Sequence, residues 1–462
     1  MNRYDMKGSD MNLQDQVKAF ALRLQREEVN MHGFLLSVAG LPAAEGFYPP
    51  FRHDQPHRTY SVSKTFTGIA VGMLMEEGKL SLEDPVVRFF PDWLPERPSP
   101  YLLHLTLRDM LRMATCYRRT AYREGIDENW AKAFFTGAPD HEPGAVFSYD
   151  TGNSQVLAAL VRRLSGMEVM DFLEQRLFTP LGLQDERYWL KDPSGCCQGG
   201  TGLCMSLRDL HRAALCLLRG GEGLIPAWFV SEMSRKQIGT SLQDKPEERF
   251  GYGWQCWRTR SGWSMYGMGG QLAVFVPEKQ ALLVTLADTR LDPSGVQRIY
   301  DAFYEELEPA LPADGLPQEY ASLTLTLPVF SLRDAPEVPP AAPGVFRFEA
   351  GNALGLSALR LSPDCLSLCR EDREALFPLV RGKTSSAPFP GHPAVPALIA
   401  SAWEEPGLLR IRCDAVGDSP CGLDMLLRFR EDDVTVQCRC SSDALTRGYD
   451  GIASGSRLKG AS

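Results

Sequence analysis

Apolar residues recur at helical spacing from residue 12 to about Asn30, and then the pattern changes. Residues 33–40 (GFLLSVAG) form a short, nearly continuous apolar run between glycines, which predicts a strand. Loops rich in proline and glycine follow as far as Tyr60. Residues 65–75 (TFTGIAVGMLM) are apolar almost throughout and stop at Gly78, as a buried helix closed by glycine does. From 80 to 230 the pattern is mostly helical, with loops at 95–100, 137–143 and 193–202. Aromatic and apolar residues then predict strands over 254–257, 271–276 and 281–286, and a closing helix over 296–307. A first strand, a helical middle, final strands and a last helix suit an α/β (α+β) architecture. One sheet is flanked by helices, with a helical lobe beside it.

The last third has another character. Residues 323–328 (LTLTLP) alternate like a strand, and 334–344 (DAPEVPPAAPG) form a proline-rich linker. Strand-like runs follow at 345–349, 356–361, 408–413, 425–428 and 434–440. The expected organisation is a main domain over 1–310, a connecting strand and linker over 311–343, and a small antiparallel β domain over 344–462. The sequence contains no internal repeat.

A chain of 462 residues is long for one core, so more than one domain is expected. The net charge is −9 with both signs interspersed, which argues against nucleic acid as a partner. No apolar run is long enough to span a bilayer, and the first 25 residues lack the apolar stretch of a signal peptide, so no membrane partner and a cytoplasmic location are expected. The 12 cysteines are scattered and read as reduced thiols. Cys365, Cys369, Cys438 and Cys440, with Cys413 and Cys421 between, lack the tight recurring pairs of a zinc site, and His392 is the one histidine in that third. Neither a metal nor a cofactor is expected, and the oligomeric state is left open.

The candidate chemistry lies at the start of the apolar helix. Ser61 and Lys64 are one turn apart, so their side chains share a face and the amine reaches the hydroxyl. A serine is a weak nucleophile until a base takes its proton, and a desolvated lysine can be that base. Ser-x-x-Lys recurs by chance in chains of this length, and Ser456 to Lys459 repeats it in a Gly/Ser-rich tail. The setting distinguishes the first pair. A lysine that opens so apolar a helix is costly to bury unless it is paired or neutral.

The segment 60–86 (YSVSKTFTGIAVGMLMEEGKLSLEDPV) resembles the active-site helix of class C β-lactamases and their serine-hydrolase relatives, and Ser-x-x-Lys is a motif of that group. Further segments resemble the family in order: 105–111 with a Thr106/Asp109 capping box, 143–149 leading to Tyr149, 199–203 (GGTGL) with the helix 206–218, and 251–254 with 270–279. The likeness covers roughly residues 30–290.

This resemblance implies a β-lactamase/transpeptidase-like fold and a serine hydrolase that works through an acyl-serine on a small-molecule ester, amide or peptide. Ser61 is the implied nucleophile, Lys64 its base, and Tyr149 the group that passes a proton to the leaving group. The family's Tyr-x-Asn is here Tyr149-Asp150-Thr151, with Asn153 two residues late, so Thr151 takes the asparagine's place with a smaller hydrogen-bonding set. The family's Lys-Thr-Gly is replaced by Met265-Tyr266-Gly267, which weighs against β-lactamase or D,D-peptidase activity. The near match Lys383-Thr384-Ser385 has the wrong context. An oxyanion hole needs only backbone amides, those of Ser61 and of Met268, Gly269 or Gly270. Met265, Tyr266, Trp254 and Trp263 suggest an apolar-aromatic pocket wall. His57 is expected to be structural. Acyl transfer, true β-lactamase or D,D-peptidase activity, and a non-catalytic receptor on the same fold remain as alternatives. The intact Ser61-Lys64 pair opposes the last.

Overall fold

The computed structural model describes residues 12–120, 129–316, 321–330, 332, 338–370, 373–441, 445–446 and 448–458. The N-terminal residues 1–11, the linker residues 334–337 and Lys459 lie outside these.

Helix α1 (Leu13–Arg26) starts at Asn12, whose side chain accepts the Asp15 N–H, and stops before Glu28, which has a φ of +55°. The other helices that matter here are α2 (Val62–Glu76), α3 (Leu107–Leu111), α4 (Thr151–Ser165), α5 (Leu207–Leu218) and α6 (Gly295–Ala302). The capping box expected at Thr106 and Asp109 opens α3. The chain runs on from α6 as a π-helical turn over Phe303–Leu307, which completes the closing helix expected over 296–307.

The first ten strands are β1 (Met31–Val38), β2 (Leu41–Phe47), β3 (His57–Arg58), β4 (Tyr188–Trp189), β5 (Leu203–Met205), β6 (Trp257–Arg258), β7 (Trp263–Gly267), β8 (Gln271–Val276), β9 (Ala281–Ala287) and β10 (Leu323–Thr326). Seven of them form a sheet in the order β10-β2-β1-β9-β8-β7-β6, antiparallel except where β10 runs parallel to β2. The remaining three make a small sheet, β3-β5-β4, with β4 and β5 in the region read as mostly helical and β3 in the stretch read as loop. Both faces of the large sheet are covered. Leu272 and Val274 of β8 pack with α1 and α6, while Ala273 and Phe275 pack with α2 and α5 on the other side. Cover on both faces is why these strands read as continuous apolar runs.

Two local readings are corrected. Strand β2 falls in the stretch read as loop. It tolerates Gly46 because the Phe34 ring lies over it, and a Cβ there would meet Phe34 Cε1 at 2.1 Å. Residues 254–256 are a bend, not a strand. Gln255 has a φ of +58°, and this turn plugs its buried side chain into Ser154 of α4 while its carbonyl accepts from Thr65 of α2.

A second, antiparallel sheet of ten strands makes the C-terminal domain. Its strands are β11 (Gly344–Phe348), β12 (Ala358–Leu361), β13 (Cys365–Cys369), β14 (Glu374–Pro378), β15 (Thr384–Phe389), β16 (His392–Glu405), β17 (Leu408–Ala415), β18 (Gly422–Phe429), β19 (Asp433–Cys440) and β20 (Gly451–Arg457). The end strands β14 and β15 lie side by side, so the sheet is a nearly closed barrel. Its interior is filled by side chains such as Phe346, Phe377, Ile399 and Met425. All 12 cysteines are free thiols, and Cys413, Cys421 and Cys438 pack inside the barrel. Leu398, Ala400 and Ala402 of β16 point outward and join the same core as α1 and α6, so the barrel is docked on the main domain through apolar contact. Among the described residues no helix is long and apolar enough to cross a membrane.

Candidate active site

Ser61 is the N-cap residue of α2, yet its side chain makes no capping bond. A serine there ordinarily spends its hydroxyl on the first turn's free N–H groups. Ser61 Oγ is instead met by Lys64 Nζ at 3.1 Å. The backbone just before it is strained. Tyr60 has a φ of +48°, a conformation that costs a residue with a side chain roughly 1–3 kcal/mol unless its surroundings hold it. Ser63 is one such hold, with its Oγ donating to Tyr60 O at 2.6 Å and accepting from Leu203 N at 3.0 Å.

Lys64 is 1% exposed. Besides Ser61, its amine reaches Thr151 Oγ1 at 3.2 Å and Gly200 O at 2.8 Å, and it sits 5.1 Å from the centre of the Tyr149 ring. Thr151, the first residue of α4, therefore stands where the resemblance put the asparagine, and it touches the lysine. Asn153 does not: its side chain donates to Met110 O at 2.6 Å, inside the lobe. Asp150 is the N-cap of α4, accepting from Gly152 N at 3.1 Å and Thr120 Oγ1 at 2.6 Å.

Tyr149 precedes that cap and faces the cleft. Its ring stacks on Trp257 at 5.5 Å and meets Tyr252 edge-on at 6.2 Å. Burial among these rings pushes its phenol pKa up, and contact with the Ser61 hydroxyl offsets part of the rise.

The cleft above Ser61 holds about 580 Å³. Ser61, Tyr149, Thr151, Tyr266, Met268 and Gly269 all line it. Tyr266 is on β7, and Met268 is 46% exposed in the turn that joins β7 to β8. Gly269 and Gly270 have φ values of +89° and +100°, and Gln271 holds the turn by donating to Met268 O at 2.9 Å and Ala287 O at 2.8 Å.

Several expected wall residues are elsewhere. Met265 is fully buried beneath β7, because neighbours on a strand face opposite ways and Tyr266 takes the cleft side. Trp263 stacks on Phe275 at 3.7 Å in the same core, and Trp254 packs on Phe229. Gly267 is required where β7 crosses the segment that precedes Ser61, since a Cβ would come within 2.2 Å of Thr59 O. Gly270 turns toward Ile299 and Ala287 and away from the cleft. Thr384, on β15 of the barrel, donates to Phe330 O in the connecting segment and does not line the cleft. His57 is buried, shares a 2.9 Å contact with His32, and burial pulls its pKa down to about 4.

Sequence reasoning missed Lys245, Glu248, Trp257 and Arg290, which also line the cleft. The strand lacks the family's lysine, yet a lysine arrives from another loop. Lys245 donates to Tyr266 OH at 2.6 Å and pairs with Glu248 at 3.2 Å. No local motif marks that loop. The segment 199–203 is legible in the sequence, but the role of Gly200 O as an acceptor for Lys64 is not.

A family model described as Beta-lactamase matches residues 20–303. The 6-aminohexanoate-dimer hydrolase of Paenarthrobacter ureafaciens is 25% identical over 300 residues, 58% of this chain and 74% of that protein. Esterase EstB of Burkholderia gladioli is 24% identical over 267 residues, 44% of this chain and 67% of that protein. An octameric penicillin-binding protein homologue from Pyrococcus abyssi superimposes with a TM-score of 0.51 at 15% identity, covering 96% of this chain and 100% of that one, so the likeness in fold extends over the barrel as well. With more than half of its length matched by that model, the chain belongs to the β-lactamase family of serine hydrolases.

Proposed function

We propose that this enzyme cleaves a small-molecule ester or amide through an acyl-serine at Ser61. Ser61 Oγ attacks the carbonyl carbon as its proton passes to Lys64 Nζ. The amides of Ser61 and of Met268 or Gly269 stabilise the oxyanion. As the tetrahedral intermediate collapses, Tyr149 gives its phenolic proton to the leaving alcohol or amine and is reprotonated from Lys64. A water then attacks the acyl-serine, gives its proton back through the same groups, and releases the acid. An alcohol or amine in place of that water gives acyl transfer.

One observation supports this reading above the rest: a buried lysine amine lies 3.1 Å from the hydroxyl of a serine that caps nothing. The aromatic wall of Tyr149, Trp257 and Tyr266, with the Lys245–Glu248 pair at its side, favours a substrate with an apolar body and a polar end. The named activities of the relatives, a 6-aminohexanoate-dimer hydrolase and an esterase, agree with hydrolysis of a small molecule.

The test is labelling with a fluorophosphonate probe and turnover of p-nitrophenyl butyrate, on the wild type, Ser61→Ala and Lys64→Ala. Labelling and turnover should vanish in both variants. A folded wild type that takes no label would overturn the acyl-serine. Nitrocefin hydrolysis at a rate comparable to the ester's would favour the β-lactamase alternative instead.

A further inference from the structure

The barrel touches the segment that carries the nucleophile. Strands β17 and β18 are joined by a loop over 416–421, and this loop reaches the main domain at three points. The N–H of Arg58 donates to Asp418 O at 2.5 Å. The Tyr188 phenol donates to the Asp418 carboxylate, and the Arg290 guanidinium donates to Pro420 O. Arg58 and Arg290 both lie on the ring of Tyr60, at 4.9 and 5.2 Å from its centre. Tyr60 is the buried residue whose left-handed backbone immediately precedes Ser61.

The loop is anchored at its base. Arg412 and Asp414 of β17 form a buried pair at 2.8 Å, and Leu291 packs so closely on Gly422 that a Cβ there would lie 3.1 Å from its Cδ1. Arg290 is fixed in turn by two bonds of 2.8 Å to Asp288. A left-handed non-glycine residue persists only where its surroundings over-determine it. Around Tyr60, part of that determination comes from the barrel.

We propose that the C-terminal barrel is a working part of the active site: its 416–421 loop positions Ser61 by holding Arg58 and Arg290 on Tyr60. The loop and both arginines are positioning groups, and the proposal rests on the acyl-serine reading above. Domain docking does not need the loop, because Leu398, Ala400 and Ala402 already join the main domain's core. Aim is the quantity at stake, since a misplacement on the order of 1 Å costs roughly a hundredfold in rate.

The experiment uses the full chain with residues 416–420 replaced by Asn-Gly. Ala415 N already bonds Cys421 O at 2.8 Å, so a two-residue hairpin closes on that pair. The second-order rate of Ser61 labelling by a small fluorophosphonate should fall about tenfold or more, and kcat for p-nitrophenyl butyrate should fall with it while KM stays within about twofold. Tyr60→Leu should give a similar loss, and the combined variant should lose little beyond either alone, because the two act through one contact. A folded, shortened chain labelled at the wild-type rate overturns the proposal, and so do losses that multiply. An unlabelled wild type instead overturns the acyl-serine itself. If the shortened chain does not fold, Arg290→Met in the full-length loop removes the guanidinium that bridges Pro420 O and the Tyr60 ring. Labelling slowed several-fold with KM within about twofold then supports the positioning role, and an unchanged rate overturns it.

Discussion

Replacing Lys64 with methionine separates chemistry from stability at one position. The side chain is 1% exposed, and its amine is held at 3.1, 3.2 and 2.8 Å by Ser61, Thr151 and Gly200. Methionine has nearly the same length and shape and no polar end. The change removes three hydrogen bonds worth about 1 kcal/mol each in net terms, and it leaves the Gly200 carbonyl without its amine. Against this, folding no longer strips water from an amine that is charged in the unfolded chain, a cost of several kcal/mol in practice. The terms oppose each other, so the stability change should lie within about 2 kcal/mol, with stabilisation the expected sign. Activity has no such compensation. A positioned base contributes roughly 10²–10⁴-fold, so kcat/KM should fall at least about a hundredfold. Urea denaturation with its m-value, alongside p-nitrophenyl butyrate kinetics, reads both quantities on one preparation. The reasoning is refuted if the variant loses more than about 3 kcal/mol yet keeps activity within about tenfold. That result would make the amine a structural anchor and leave Ser61 with another base.

Tyr149→Phe keeps the stack on Trp257 and removes only the hydroxyl, so kcat should fall about 10²–10³-fold while the urea midpoint moves little; full activity would remove Tyr149 from the proton path. Gly200→Ala places a methyl 3.0 Å from Lys64 Nζ and 2.6 Å from Thr151 Cγ2, so kcat should drop with only a modest loss of thermal stability, and unchanged kinetics would show that the amine's position is not critical. Lys245→Met breaks a half-exposed pair with Glu248 and the bond to Tyr266, so stability should change by no more than about 1 kcal/mol while KM rises for esters with an anionic end; equal effects on neutral and anionic esters would exclude Lys245 from substrate contact. His32 and His57 are buried side by side, and burial keeps both neutral in the fold, with His57 lowered to about 4. Their stabilising effect is therefore complete above the unfolded value of about 6.5 and is lost as pH falls toward 4, with a slope of up to about 1.4 kcal/mol per pH unit for each. Urea midpoints that stay flat between pH 6.5 and 5 would contradict this.

What the sequence disclosed, it disclosed where local geometry carries the information. Ser61 and Lys64 meet because a helix turn brings positions three apart together, whatever else the chain does. The Thr106/Asp109 box is local in the same way. Strands β8 and β9 were legible as apolar runs, but the facing of β7 was not. Met265 lies in the core and Tyr266 in the cleft, but both pack among large apolar side chains, so no polar alternation along β7 marks which faces which way. In the barrel, β15 and β16 hide behind Pro388, Pro393 and Pro396, and β20 (GIASGSR) is built from small residues that pack only because β11 and β19 lie beside it. The cleft's other groups fail for a different reason. Lys245, Trp257 and Arg290 come from three separate segments, and no spacing connects them to Ser61. The 416–421 loop is the extreme case. Its Gly-Asp-Ser-Pro run has the composition of any β-turn, and the groups that reach Arg58 and Arg290 are backbone carbonyls, which every residue possesses. Side-chain chemistry can be sought in a sequence. A carbonyl's partner exists only once the fold has brought the two segments together, so the contacts of a second domain beside Tyr60 become visible in the structure alone.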